Sequence, residues 1–203
     1  MVWQALKLSS IKKPSFPAIE LSAERIYMRP PMIEDAKSWA EVRGRNIGHI
    51  QPFDPKWPDD ALTPDLFLRR ISRQFYEWQH DRARAFLIFD IHTHALIGGM
   101  NINNICRGAA QYASLGFWID EDCQGQGLMR EALALTLKYC FEDLKLHRVH
   151  ASCLPHNDRS KKTLHAAGFK KEGFAEKYLQ INGLWEDHIL FGLPKENWVQ
   201  QNS

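Results

Sequence analysis

Two glycines set one residue apart lie between a strand-like stretch and a helix-like stretch near the middle of the chain. The segment consists of Gln124, Gly125, Gln126, Gly127, Leu128, Met129 and Arg130. Glycine adopts left-handed backbone angles easily, and its lack of a side chain lets a ligand approach the backbone. The first N–H groups of the following helix have no partner within the helix, and the helix dipole makes that end positive. The segment therefore predicts an anion site, and phosphate is the usual anion there.

Two common phosphate-binding loops do not fit this segment. A Walker loop is excluded because no Lys-Ser or Lys-Thr pair follows the glycines. A dinucleotide-binding loop has a third glycine, and Arg130 stands in its place. A tight turn without a ligand stays open as a second interpretation of the two glycines.

A second polar cluster follows about thirty residues later, where Asn157 and Ser160 lie near the start of a predicted helix. Asparagine is a preferred N-cap residue, because its side-chain oxygen accepts a hydrogen bond from the first helical turn. A cap alone would explain Asn157. Taken by itself, the pair leaves both a capping role and a ligand-binding role open.

The spacing of apolar residues predicts the elements that hold these two segments. A strand over 112–120 precedes the glycine loop, and a helix over 128–144 follows it. A strand over 148–154 and a helix over 160–167 flank Asn157. The loop and Asn157 should therefore each lie between a strand and a helix.

The rest of the chain completes a single predicted domain over 21–203, preceded by an irregular arm over 1–20. Strands are predicted over 21–29, 85–91 and 95–102, helices over 32–44 and 66–79, and a last hairpin over 169–181 and 184–193. The hairpin turns at Asn182-Gly183, which is the strongest short hairpin signal. The order β-α-α-β-β-β-α-β-α-β-β predicts an α+β fold with a mixed sheet.

Composition excludes several classes of protein. The net charge of the 203-residue chain is +2, which gives no electrostatic argument for a nucleic-acid or anionic membrane partner. No apolar run is long enough to span a bilayer, and the first residues lack the pattern of a secretory signal. Four cysteines stand far apart without a C-x-x-C pair, so we expect no metal site and reduced thiols in the cytoplasm.

A segment rich in Pro, Asp and aromatic residues, 46–63, lies between the two predicted helices of the first half. Long loops without regular structure are often functional, so this one could act as a lid over a site. A packed connector anchored by Phe53 and Trp57 is the alternative.

The two polar segments together resemble the GNAT superfamily of acyl-coenzyme A N-acyltransferases. The resemblance consists of Gln-x-x-Gly-x-Met before Asn-x-x-Ser, followed by Gly-Phe and a last hairpin. It is closest to the RimJ type of the RimJ/RimL branch, which acetylates protein N-termini, typically of ribosomal proteins. Segments 125–133, 155–160 and 185–188 match that branch best, and the resemblance covers about 21–193. It implies a sheet whose central strands splay apart.

The resemblance also implies acetyl-CoA as co-substrate and assigns the residues that bind it. The loop amides would hold the pyrophosphate, and the strand over 117–119 would pair with the pantetheine arm like an added strand. Asn157 would donate to that arm, and Ser160 would lie near the sulfur. The implied acetyl-CoA-binding residues are Phe117, Trp118, Ile119, Gln124, Gly125, Gln126, Gly127, Leu128, Met129, Arg130, Asn157 and Ser160. Leu164 stands where many members have a tyrosine acid, so Ser160 becomes the candidate that protonates the leaving thiolate.

The implied reaction is direct attack of a neutral amine on the thioester. An α-amine has a pKa near ~8 and a lysine near ~10.4, so an N-terminal acceptor needs less help from a base. Asp187, Glu121 and His188 are possible bases, and each has a structural alternative. We predict Asp187 as a catalytic residue and His188 as a substrate contact. Gln51 and Phe53, in the segment 46–57, are the other predicted substrate contacts.

The sequence thus predicts an acetyl-CoA-dependent N-acetyltransferase that modifies the N-terminal α-amine, on Ala or Ser, of a ribosomal protein. Two alternatives stay open. One is an acetyltransferase for a small amine such as an antibiotic or polyamine, which Asp54, Asp59 and Asp60 could attract. The other is a ribosome-associated binding protein without turnover.

Overall fold

A mixed sheet of eight strands forms the centre of the computed structural model, which describes residues 14–202. The strands in chain order are β1 (Leu21–Ser22), β2 (Ile26–Arg29), β3 (Arg84–Asp90), β4 (Leu96–Cys106), β5 (Tyr112–Ile119), β6 (Arg148–Cys153), β7 (Lys170–Ile181) and β8 (Leu184–Pro194). They lie side by side in the order β1-β2-β3-β4-β5-β6-β8-β7. Every described pair is antiparallel except β5 with β6. The predicted α+β fold with a mixed sheet is confirmed.

Helices cover both faces of this sheet. Those in the described residues are α1 (Ala36–Arg45), α2 (Ile47–Ile50), α3 (Pro64–Gln79), α4 (Leu128–Lys138), α5 (Asp158–Ala166) and α6 (Lys195–Asn202). Trp39 of α1 and Phe67 of α3 belong to a buried cluster on one face. Leu133 of α4 and Leu164 of α5 belong to a larger cluster on the other. None of the described helices is long and apolar enough to cross a membrane.

β5 and β6 separate before they end. Their pairing reaches Leu115 and Ala151, whereas β5 continues to Ile119 beside β4, and β6 continues to Cys153 beside β8. Within the described residues, the last part of β5 therefore has a neighbour on one side and an opening on the other. This opening, the β5–β6 split, is the splay that the resemblance implied.

Local signals account for several element boundaries. Pro64 opens α3, and the Thr63 hydroxyl caps the helix by accepting a hydrogen bond from the Leu66 N–H at 3.2 Å. Asn182 and Gly183 have φ angles of 45° and 88° and join β7 to β8. Both angles are positive, as a two-residue hairpin turn of this kind requires. The predicted hairpin is therefore confirmed at its turn.

Four elements differ from the sequence prediction. The strand expected over 21–29 folds back on itself, so that β1 pairs with β2. The segment 46–63 contains α2 and a 3-10 turn, Gln51–Phe53. The helix expected to reach residue 144 ends as a π turn, Tyr139–Asp143, and α6 was not predicted. Of the predicted arm, residues 14–20 contain neither helix nor strand, and residues 1–13 lie outside the described part.

Candidate active site

The glycine loop presents a row of free backbone donors at the start of α4. Gly125 and Gly127 have φ angles of 71° and 82°, in the left-handed region that favours glycine. Within residues 14–202, none of the five N–H groups from Gly125 to Met129 has a hydrogen-bond acceptor. Successive unpaired amides at a helix start attract an anion through hydrogen bonds and the helix dipole. This amide cradle fits the predicted pyrophosphate site.

Arg25, from the turn between β1 and β2, holds the cradle in place. Its Nη1 donates to the Gln126 carbonyl at 2.9 Å, and its Nε donates to Glu131 Oε1 at 2.6 Å. Glu131 lies in the first turn of α4. Because Arg25 joins the loop to the helix, it restrains the loop without using any of the cradle amides. Sequence reasoning missed this residue.

The loop side chains do not all face the ligand side of the cradle. Leu128 and Met129 are buried in the core, so only their backbone amides serve the cradle. The Gln124 side chain contacts His49 of α2 and accepts a hydrogen bond from Arg159 of α5 at 2.6 Å. Burial lowers the pKa of His49, so this imidazole is neutral at pH 7. Gln124 thus connects the cradle to two neighbouring helices.

The open end of β5 has backbone groups that face the split. The Asp120 N–H donates to the Ile97 carbonyl at 2.8 Å, so Asp120 points its backbone toward β4. Backbone direction alternates along a strand. Trp118 therefore also points its backbone toward β4, whereas Phe117 and Ile119 point theirs toward the β5–β6 split. Two of the three predicted strand residues offer hydrogen bonds to a ligand there.

Asn157 and Ser160 lie at the start of α5, on the β6 side of the same split. Asn157 Oδ1 accepts the Ser160 N–H at 3.1 Å, so the cap is formed, and within the described residues Nδ2 has no acceptor. The Ser160 hydroxyl contacts the thiol of Cys153, the last residue of β6. Burial raises the pKa of Cys153, and the Ser160 contact opposes that rise. The structure therefore brings both predicted residues to the split.

Asn157→Asp separates the two roles of Asn157. Aspartate caps a helix as well as asparagine does, so α5 should keep its stability. It has no Nδ2 donor, and we expect the dissociation constant for acetyl-CoA to rise about 10-fold, the value of one lost hydrogen bond to a buried acceptor. Calorimetric titration measures this change. If a variant of normal thermal stability binds acetyl-CoA as tightly as the wild type, Asn157 has a capping role and does not bind the co-substrate.

The segment 46–54 lies across the ends of these elements. The Asn46 side chain donates to Asp120 Oδ1 at 2.9 Å and accepts the Glu121 N–H at 2.8 Å. The Phe53 ring lies 6.0 Å from the His156 ring, beside the N-terminus of α5. The Asp54 carbonyl accepts the Asn182 N–H at 2.8 Å, which ties the segment to the hairpin tip. Gln51, between these anchors, has no side-chain hydrogen bond to a described residue.

Arg43 anchors the other end of this segment to α1. Its buried guanidinium forms an ion pair with Asp54 at 2.5 Å and lies 4.2 Å from the centre of the Trp57 ring. The Trp57 indole N–H donates to the same carboxylate at 3.0 Å. The centre of the Trp118 ring, from β5, lies 5.4 Å from the same guanidinium. Trp57 is therefore an anchor, as the connector alternative predicted, although the segment still borders the site.

Asp120 is the buried centre that joins this segment to β5. Its carboxylate accepts hydrogen bonds from Arg45 and from Asn46. Burial acts to raise the pKa of Asp120, but these hydrogen bonds outweigh it and hold the pKa below its ordinary value. The ionised form is thus stabilised in the folded protein, and its contribution to stability depends on pH.

Asp120→Asn should lower the free energy of unfolding by about 2 kcal/mol at pH 7. Breaking a fully buried pair costs roughly 3–5 kcal/mol, and the cost is smaller here because the Arg45 side chain is 52% exposed. Since the folded pKa is depressed, the contribution is complete above about pH 4 and disappears as the pH falls through the folded pKa. Urea unfolding of both proteins at pH 7, 5 and 3 measures the difference.

Asp60→Asn is the matched control, because Asp60 pairs with Arg69 and both side chains are about half exposed. An exposed pair contributes at most about 1 kcal/mol. If Asp120→Asn lowers the free energy of unfolding no more than Asp60→Asn does, Asp120 is not a buried anchor.

The polar residues of the last strand have partners inside the hairpin. Asp187 Oδ1 accepts the Lys177 N–H at 2.9 Å, where the β7–β8 register shifts between Ala175 and Leu179. His188 is buried, and its Nδ1 contacts the Glu186 carbonyl at 2.9 Å. These contacts give both residues a local structural task. The catalytic role of Asp187 and the substrate role of His188 stay predictions.

An amide cradle at a helix start, beside a split in a mixed sheet, is suited to a phosphate-bearing ligand with an arm along the open strand. The chain belongs to the GNAT acetyltransferase family, because the acetyltransferase (GNAT) domain model matches residues 25–170. It is an acetyl-CoA-dependent N-acetyltransferase, as the sequence predicted.

Three known proteins show how far the similarity extends. The chain is 37% identical to the probable N-acetyltransferase YjcK of Bacillus subtilis, over 85% of this chain and 96% of that protein. A ribosomal-protein-S5-alanine acetyltransferase from Vibrio fischeri superposes with a TM-score of 0.81 and 35% identity, covering 89% of this chain and 98% of that one. Mycobacterium smegmatis RimJ, in complex with CoA-disulfide, gives 0.80 and 28%, covering 87% and 89%. The predicted resemblance to the RimJ type is confirmed.

Proposed function

We propose that this enzyme transfers the acetyl group of acetyl-CoA to the N-terminal α-amine of a ribosomal protein that begins with Ala or Ser. The observation that carries the proposal is the amide cradle of residues 125–129, which opens beside the unpaired end of β5. The similarity to an S5-alanine acetyltransferase supports the acceptor class. We propose that the reaction takes place in the cytoplasm.

The residues of the site fit acetyl-CoA in charge and shape. The cradle amides and the start of α4 suit the pyrophosphate. The outward backbone groups of Phe117 and Ile119 suit the amides of the pantetheine arm, which would pair with β5 as a strand does. Asn157 Nδ2 is a further donor for that arm. Gly125 has a φ of 71°, which favours glycine, and a Cβ there would project into open space.

Acetyl-CoA supplies an activated acetyl thioester, and the protein orients it and stabilises the charge that develops. The N–H of Phe117 or Ile119 faces the split, where it can donate to the acetyl oxygen. One such preorganised donor is worth roughly 3 kcal/mol in the transition state. The Ser160 hydroxyl, at the end of the same split, gives a proton to the leaving sulfur. An acceptor α-amine with a pKa near ~8 is partly neutral already, so a weak base suffices.

The acceptor peptide would enter along the segment 46–54, between the hairpin tip and the start of α5. Gln51 and Phe53 are our proposed contacts there, because the Gln51 amide is free of described partners and the Phe53 ring is 39% exposed. His188 and Asp187 would border the path from β8.

The small-amine alternative loses part of its support in the structure. A polycationic acceptor needs free carboxylates, but Asp54 is paired with Arg43 and Asp60 is paired with Arg69. Asp59 is the one member of the predicted acidic group that has no ion pair with a described residue.

Free-thiol release from acetyl-CoA, measured with a panel of acceptors, tests the proposal. The panel contains peptides that begin with Ala, Ser or Met, a peptide whose one amine is a lysine, and spermidine. We expect release with the Ala or Ser peptides and a mass gain at the α-amine. Release with the lysine peptide or spermidine alone would overturn the acceptor and keep the reaction. Tight acetyl-CoA binding without release for any acceptor would favour a binding role.

A further inference from the structure

A narrow cleft lies on the α1/α3 face of the sheet, directly behind the open end of β5. Its free volume is about 10 Å³, which has room for about one water molecule. The cleft is lined by Pro31, Trp39, Phe67, Arg70, Gln74, Ala85, Phe86, Leu87, Gly99, Asn101 and Trp118. Most of these residues are apolar. The polar groups are therefore few, and each needs a reason to be there.

Arg70 is the charged residue of this cleft, and it has no carboxylate partner among the described residues. The neighbouring arginines differ: Arg43 pairs with Asp54, and Arg69 pairs with Asp60. The guanidinium of Arg70 lies 5.6 Å from the centre of the Trp39 ring. Burial, followed by repulsion from Arg43, lowers the pKa of Arg70 to about 10, because Asp54 compensates only in part. Arg70 is partly buried, so its charge is only partly hydrated, and a ligand carboxylate would be a favourable counterion.

The other polar side chains of the cleft also carry hydrogen-bond donors. The Trp118 indole N–H has no acceptor among the described residues. Gly99 makes its position possible, because a Cβ at residue 99 would lie 2.5 Å from the Trp118 Nε1. Gln74 donates to Asn101 at 3.4 Å, so the Asn101 Nδ2 donor is unused within the described chain. The Arg70 guanidinium, the Trp118 N–H and the Asn101 Nδ2 together offer donors to a ligand group that accepts hydrogen bonds, such as a carboxylate.

We propose that this cleft, the Arg70 cleft, binds a carboxylate of the acceptor, an acidic side chain within its first few residues. The inference rests on the proposed function and names its substrate class. Trp118 lines the cleft, and the backbone of its neighbour Phe117 faces the β5–β6 split, so the cleft adjoins the strand along which the acetyl thioester would lie. A carboxylate is larger than the free volume of the cleft, so its entry requires the flexible ends of Arg70 and Gln74 to move apart.

The test compares peptides that begin with Ala and differ by Glu or Gln at position 2, 3 or 4. We expect the wild-type enzyme to prefer Glu at one of these positions by about 10-fold in kcat/KM, the value of a charge-assisted hydrogen bond. Arg70→Gln should remove the preference and leave the affinity for acetyl-CoA unchanged. Arg70→Lys, which keeps the charge and the apolar stem, should retain part of it.

Arg69→Gln is the matched control, since it removes the same charge from the solvent side of α3 and should keep the preference. The rates for the peptide Ala-Gln-Gln with a free and with an amidated C-terminus test whether a terminal carboxylate can also bind in the cleft. If the free C-terminus is preferred and Arg70→Gln removes that preference, a carboxylate site is still supported. Equal rates for Glu and Gln at every position together with equal rates for the free and the amidated C-terminus, or a preference that survives Arg70→Gln, would overturn the inference and leave the acetyl transfer intact.

A binding measurement keeps the inference testable apart from turnover. N-terminally acetylated forms of the same peptides cannot react, and Trp39 and Trp118 report their binding by fluorescence. Tighter binding of the Glu peptide to the wild type than to Arg70→Gln supports the carboxylate site even if no peptide is acetylated, in which case the proposed function fails alone. Equal binding of Glu and Gln peptides overturns the site.

Discussion

Gly127→Val should raise the dissociation constant for acetyl-CoA at least about 100-fold, a cost of roughly 2.8 kcal/mol. Gly127 has a φ of 82°, and a branched L-residue is strained there by roughly 1–2 kcal/mol. We expect the side chain at this position to disturb the amide cradle. Its Cβ would lie 3.3 Å from the Arg25 Nη2, so the end of the side chain that holds the loop would have to shift by a few tenths of an ångström. Calorimetric titration of acetyl-CoA measures the loss.

Gly108→Val is the matched control, because it imposes the same strain away from the cradle. Gly108 has a φ of 67°, and a Cβ there would meet no described atom within 4 Å. Both variants should lose thermal stability by similar amounts, and only the variant at Gly127 should lose acetyl-CoA affinity. Normal affinity in a folded Gly127→Val protein would mean that the pyrophosphate binds elsewhere.

Features governed by neighbours in sequence could be predicted from the sequence. The turn at Asn182 and Gly183 depends on two residues that adopt positive φ angles, and the cap of α5 depends on Asn157 three residues before its partner N–H. The same holds for the amide cradle, because glycine placement and the start of a helix together create unpaired donors. Each of these predictions used chemistry confined to a few residues.

Contacts between distant segments could not be predicted in the same way. Arg25 reaches Glu131 across 106 positions, and Asn46 reaches Asp120 across 74. Nothing in the local pattern of either residue indicates its partner. The turn within residues 21–29 has the same kind of origin. The Arg25 carbonyl accepts a hydrogen bond from the distant Ile91 N–H, and the chain turns there instead of forming one straight strand. Arg70 is the converse case. The sequence does not show which residues surround Arg70, so only the structure reveals that no carboxylate among the described residues forms an ion pair with it.

Asp187 illustrates how a sound sequence argument can select a residue with a local task. A carboxylate in an apolar strand needs a reason, and the sequence interpretation supplied a catalytic one. In the structure Asp187 accepts the N–H of Lys177, whose φ is 46°. That bond stabilises an irregular backbone within the hairpin, so the reason can be structural.

Ser160→Ala should lower kcat about 100-fold, at the lower end of what a general acid contributes. The Ser160 hydroxyl lies at the end of the β5–β6 split, next to the Cys153 thiol. Without it, the leaving thiolate departs unprotonated or takes a proton from water. The cap of α5 uses the Ser160 backbone N–H and not its hydroxyl, so the helix should remain folded. The affinity for acetyl-CoA should change little, because the hydroxyl acts when the thioester bond breaks.

A control variant shows whether the loss of rate is specific to the Ser160 hydroxyl. Thr163→Ala is the matched control, since it removes another hydroxyl from the same helix. The Thr163 hydroxyl donates to the Arg159 carbonyl in an exposed hydrogen bond. Single-turnover rates with saturating acetyl-CoA separate the chemical step from binding. A Ser160→Ala enzyme as fast as the Thr163→Ala enzyme would remove Ser160 from the mechanism and leave protonation of the thiolate to water.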